Sequence, residues 1–67
     1  MKTRTKLELL HISDCAHVTG YTALSNFVRA FSHKDFENAR NILQGFDPRK
    51  EAGIQAKELA FQMLDRV

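Results

Sequence analysis

The sequence predicts an all-α protein, a small bundle of four or five short helices with a helix-turn-helix-like pair near its middle. Three observations carry that expectation. Apolar residues recur at three- and four-residue spacing through most of the chain, the period of an amphipathic helix. Gly20, Gly45 and Pro48 fall between these periodic runs, where helices would end. No segment that alternates like a strand has a visible partner strand.

Taken in order, residues 1–6 (MKTRTK) are polar and basic, and a flexible arm is expected there. In the next run, Leu7 and Leu10 share a helical face, whereas Leu7, Leu9 and His11 alternate as in a strand. A short helix is favoured because no pairing strand exists. Ser13 or Asp14 then serves as the N-cap of a helix reaching Val18. Gly20 supplies the backbone freedom for a sharp turn. A helix from Thr22 to Phe31 follows, with Leu24, Phe27, Val28 and Phe31 on one side and Tyr21 just before it. Ser32 and Asp35 form an imperfect capping box ahead of Phe36, Ala39, Ile42 and Leu43. That helix is expected to stop at Gly45, a good C′ residue. Asp47-Pro48 then predicts an N-cap followed by proline at the first helical position. The last helix runs to Arg66 and buries Ala52, Ala56, Leu59, Ala60, Met63 and Leu64, with Phe61 on its flank.

The chain of 67 residues reads as one domain: a basic arm at 1–6, the helix-turn-helix-like pair at 13–32 and a helical hairpin at 33–66. Such a length lies near the lower limit for a self-supporting apolar core. A hydrophobic fraction of 43% with 27% charged residues fits a globular protein and excludes a disordered tail. Cys15 is the only cysteine, so no internal disulfide forms and a reducing cytoplasm is the expected setting. Neither a membrane-length apolar run nor a signal-peptide core is present, and a cytoplasmic, soluble chain is expected.

The net charge is +2, unevenly placed. In residues 1–34, Lys2, Arg4, Lys6, Arg29 and Lys34 stand against Glu8 and Asp14, a net +3, while residues 35–67 carry a net −1. The excess therefore lies in the half with the helix-turn-helix pattern. In that motif a first helix supports a second, whose early exposed residues enter the major groove. Small Ala16 permits close approach and Gly20 the turn, which leaves Thr22, Ala23, Ser25 and Asn26 facing outward. Asn contacts adenine bidentately, and Thr, Ser and Ala meet thymine or phosphate. Arg29 suits a phosphate or an acidic side chain. Lys2, Arg4 and Lys6 would follow the DNA backbone.

Ile12, Asp14, Ala16, Gly20-Tyr21, Ser25 and Phe27-Val28-Arg29-Ala30-Phe31 together resemble one helix-turn-helix of the AraC/XylS family of bacterial transcription activators. The likeness covers under a third of the chain. Family members carry two such motifs, and this chain has room for one. After the last Phe, the family's basic residue, Gly and Pro are replaced by Ser32-His33-Lys34-Asp35-Phe36. The resemblance implies a single, diverged helix-turn-helix that binds double-stranded DNA.

Other chemistry is sparsely represented. His11 and Cys15 share a helical face, but His17 points elsewhere and no fourth ligand stands out, so no metal or other cofactor is expected. Cys15 and His17 lack an orienting third group, and no carboxylate pair or phosphate loop is present, so no enzyme is expected. Ala52, Ala56 and Ala60 recur every four residues, a spacing that permits close helix packing within one chain or between two. Phe46, Phe61 and Val67 either complete a self-association patch or close the monomer's own core.

Two functions follow. The leading one is a small regulatory protein, bacterial or phage-like in character, that binds DNA as a homodimer through Thr22, Ser25, Asn26 and Arg29. The alternative is a non-enzymatic, self-associating helical module that binds a host or regulatory protein through its last two helices and does not bind DNA.

Overall fold

The computed structural model describes residues 2–67, and its described residues form four helices and no strand. The helices are α1 (Thr3–Thr19), α2 (Thr22–Ser32), α3 (Phe36–Gln44) and α4 (Glu51–Asp65). They close a ring in which α1 meets α2, α2 meets α3, α3 meets α4 and α4 meets α1. An extra α2–α4 contact crosses the ring, and the α1 and α3 backbones do not approach each other closely. Ile12, Leu24, Phe27, Leu43 and Met63 are its largest fully buried side chains. Ala39, Ala56 and Ala60 are fully buried among them, small enough to let the backbones approach closely.

The helix starting at Ser13 or Asp14 is corrected: both residues lie in mid-helix, because α1 runs unbroken from Thr3. The flexible arm is corrected with it, since Arg4 and Lys6 are helical; Met1 lies outside the described residues. The reason is packing. Leu9, Ile12 and Ala16 fall on one buried face, and burying that face requires one continuous helix.

The α1 C-terminus is fastened by several groups. Gly20 adopts φ 76° and returns its N–H to the Ala16 carbonyl at 2.9 Å. Thr19 Oγ1 donates to the Cys15 carbonyl at 2.6 Å and accepts the Tyr21 N–H at 3.3 Å. Lys50 Nζ donates to the Thr19 carbonyl at 2.9 Å, placing a cation at the negative end of the helix dipole. Lys2, Arg4 and Thr5 line one groove with Phe31 and Lys34, so α2 runs back alongside α1.

The Ser32–Asp35 capping box is also corrected. Ser32 ends α2, its Oγ bonded to the Val28 carbonyl at 2.8 Å, and Asp35 alone caps α3 by accepting the Asn38 N–H at 3.4 Å. Between them Lys34 takes φ 61°. Its N–H returns to Phe31 and the Asp35 N–H to Ala30, at 3.0 and 2.9 Å. That is a Schellman exit with lysine where glycine is usual. Gly45 does end α3, but at φ −90°.

The predicted start of α4 at Asp47-Pro48 is moved to Glu51, with Lys50 as the N-cap. Lys50 is extended at φ −83°, ψ 141°, so the helix starts only after it. Tyr21 Oη accepts the N–H groups of Arg49 and Lys50 at 2.8 and 3.0 Å and so satisfies two donors ahead of the first turn. The ring lies over Gly53 and meets Phe46 edge-on at 5.1 Å. Tyr21 thereby joins the α1–α2 turn to the α3–α4 connection.

Candidate interaction surfaces

α2 presents three faces to other helices and one to the outside. Thr22, Ser25, Asn26 and Arg29 are all exposed and follow one another at helical spacing along that outer face. Arg29 makes no ion pair among the described residues. A shallow depression beside it, of about 490 Å³, is lined by Asn26, Arg29, His33, Asp35, Asn38 and Ile42. The face is polar and carries few charges.

The remaining residues assigned to DNA lie elsewhere. Lys2 and Arg4 reach the C-terminal end of α2, beside Lys34 and Arg66, where they rim a groove of about 390 Å³. They stand at the opposite end of α2 from Thr22. Lys6 is exposed on α1. Phe31, Phe36, Met63 and Val67 also line the groove, but Phe31 and Met63 are almost wholly buried. Glu8 takes up part of the rim's charge: Arg66 pairs with it at 2.6 Å and Arg4 at 4.0 Å. That leaves a groove with a basic rim and a mainly apolar lining, to which half-buried Phe36 and exposed Val67 contribute.

Phe46 is corrected as an interface residue. It is only 7% exposed and belongs to the core, because its ring packs edge-on against Tyr21. Phe61 is half-buried with the Lys57 ammonium 6.0 Å from its ring centroid. Val67 is exposed. Phe46, Phe61 and Val67 therefore do not form one exposed patch.

A different apolar surface emerges on α1. Leu7, Leu10 and Val18 are 60%, 58% and 77% exposed. On a helical wheel Leu7, His11, Asp14 and Val18 form a nearly straight stripe, with Leu10 on its flank. Periodicity missed this surface because Leu9, Ile12 and Ala16 bury the opposite face of the same helix. A helix apolar on two sides shows little amphipathic contrast. That lack of contrast was the available signal.

Titratable groups are dispersed. His11 Nε2 lies 3.9 Å from Cys15 Sγ, an i, i+4 contact within α1. Among the described residues, no three His, Cys, Asp or Glu side chains are grouped to hold a metal ion. The acidity of Tyr21 is set by the backbone it meets. The backbone N–H groups of Arg49 and Lys50 stabilise its phenolate and hold the pKa below the usual tyrosine value. No described helix is long and apolar enough to cross a membrane. No protein-family model, curated protein or solved structure matches the chain.

Proposed function

We propose that this chain is a non-enzymatic helical interaction module whose docking face is the outer side of α1. The observation that carries the reading is the alignment of Leu7, Leu10 and Val18 on one side of a helix whose other side is already packed. Single exposed leucines are ordinary on protein surfaces, but aligned ones mark a partner surface. The partner is a protein presenting an apolar helix or groove. The test is affinity capture from the native host with the wild-type chain, L7E/V18E and N26A/R29A, each checked for helical circular dichroism. A partner retained by wild type and N26A/R29A but lost with L7E/V18E is the expected result. Equal capture by all three chains contradicts the reading.

The second reading is DNA binding through Thr22, Ser25, Asn26 and Arg29. It is favoured by their common outward face and by Arg29's freedom from any described ion pair. It ranks second because α2 is flanked by three helices, whereas a reading helix must project into the major groove. Titration of mixed-sequence duplex DNA separates the readings. Binding that weakens steeply with salt and collapses in N26A/R29A supports DNA recognition. Absence of binding at low salt removes it.

A further inference from the structure

The geometry points to a second copy of this chain as the occupant of the α1 face, paired antiparallel about a dyad between Ile12 and Ser13. This inference rests on the interaction-module reading and names its partner. The stripe Leu7, His11, Asp14, Val18 has spacings of four, three and four, those of a seam between two packed helices. It is also its own complement when reversed. An antiparallel copy sets Leu7 against the partner's Val18, and His11 against the partner's Asp14. The twofold repeats both contacts, as an isologous interface requires. Leu10 and its dyad mate flank the same side of the seam.

The polar pair selects the second copy over an arbitrary apolar partner. Asp14 makes no ion pair among the described residues, yet it lies between Leu7, Leu10 and Val18. A wholly apolar surface laid over it would desolvate a carboxylate without compensation. The reversed copy supplies an imidazole N–H at that position. His11 now faces Cys15, and rotation of the ring turns a nitrogen toward the partner's carboxylate. A shift by one helical turn would set Asp14 against the partner's Leu7 in one direction and against the partner's Asp14 in the other, so the pair also fixes the register. The α2 stripe and the basic groove take no part.

One helix pair buries less than the roughly 1,200 Å² of a standard interface, so association is weak and the measurement must reach high concentration. Sedimentation equilibrium of the full chain from about 10 µM to about 1 mM is expected to show mass rising from 7.7 kDa toward twice that value. L7E is expected to stay monomeric with unchanged helical circular dichroism. H11D and D14K are each expected to weaken association about fivefold, and H11D/D14K to restore it. Register is tested in a C15S background by mixing L7C and V18C chains under diamide. The mixture should form a disulfide-linked dimer, and neither chain alone should.

A wild-type chain that is monomeric at about 1 mM overturns the second copy, as does a double variant no better than its parents. Should the chain be monomeric while L7E/V18E still loses a captured protein, the partner assignment falls and the module reading stands. Failure of both experiments removes both.

Discussion

Gly53 gives the sharpest stability prediction, because two ordinary rules oppose each other there. Glycine inside a helix costs up to about 1 kcal/mol relative to alanine, so G53A should stabilise α4 if propensity decides. Packing decides otherwise. A Cβ at position 53 would stand 2.5 Å from Tyr21 Cε2, 2.8 Å from Cδ2 and 2.9 Å from Pro48 Cβ. Carbon atoms prefer about 3.5–4.0 Å, so the ring would have to move by roughly 1 Å. The ring is held at both ends, by two N–H donors at 2.8 and 3.0 Å on its hydroxyl and by Phe46 at its edge. Overpacking costs about 1–3 kcal/mol, and each stretched hydrogen bond gives up as much as ~1 kcal/mol. After the propensity gain is subtracted, G53A is expected to destabilise by about 2 kcal/mol. For a chain this size that lowers Tm by roughly 10 °C in thermal circular dichroism at low protein concentration. In a Y21A background, measured with a stabilising osmolyte, the G53A penalty should fall by more than half, because the two closest contacts belong to the ring. An unchanged or raised Tm for G53A in the wild type would refute the assignment of Tyr21 as a fixed fastening.

Three further outcomes are expected. Tyr21 is the only tyrosine and the chain has no tryptophan, so absorbance near 295 nm follows its ionisation alone. The midpoint should lie below the ordinary tyrosine value of 10.0. Because the folded pKa is the lower one, the linked stability is present above the unfolded pKa and is lost as pH falls through the folded pKa; a midpoint at or above 10.0 contradicts the two N–H contacts. K34G relieves a left-handed lysine at φ 61° and should raise stability by about 0.5–1 kcal/mol in urea unfolding, whereas a loss would mean that the Lys34 side chain stabilises the fold. F46A should cost about 3 kcal/mol or more, while L7A leaves the stability of the dilute monomer within about 0.5 kcal/mol. Equal losses from the two would contradict their assignment to core and surface.

Where helices are set by local chemistry, the sequence is a good guide. α2 is expected from Thr22 to Phe31 and found from Thr22 to Ser32, because its stripe is apolar on one side only. Gly20 takes the left-handed turn its position suggests. The failures lie where tertiary packing enters. Asp47-Pro48 has the chemistry of a helix start, yet Lys50 is extended and α4 begins at Glu51, with the Arg49 and Lys50 N–H groups bonded to a phenol 28 residues before Arg49. Ser13 and Asp14 have the chemistry of an N-cap, yet no break occurs. The buried face of α1 runs through them, and one continuous helix satisfies their backbone groups.

The same distinction separates the two candidate surfaces. The α2 stripe is legible because polar Thr22, Ser25, Asn26 and Arg29 contrast with a buried opposite side. The α1 stripe is not, because leucine and isoleucine occupy both sides of that helix, and residue type alone does not say which side the bundle covers. Only the packing of α2 and α4 against α1 assigns Leu9, Ile12 and Ala16 to the interior and leaves Leu7, Leu10 and Val18 outside. A chain this short has little apolar area to spare. Three large aliphatic side chains left on one helix face are therefore apolar area that the monomer leaves in water. A partner that covers them adds its binding free energy to the folded state by mass action. That link makes one measurement informative about both fold and function. If the α1 face is used, the Tm of the wild type should rise with concentration of the partner, or of the chain itself. The Tm of L7E should not.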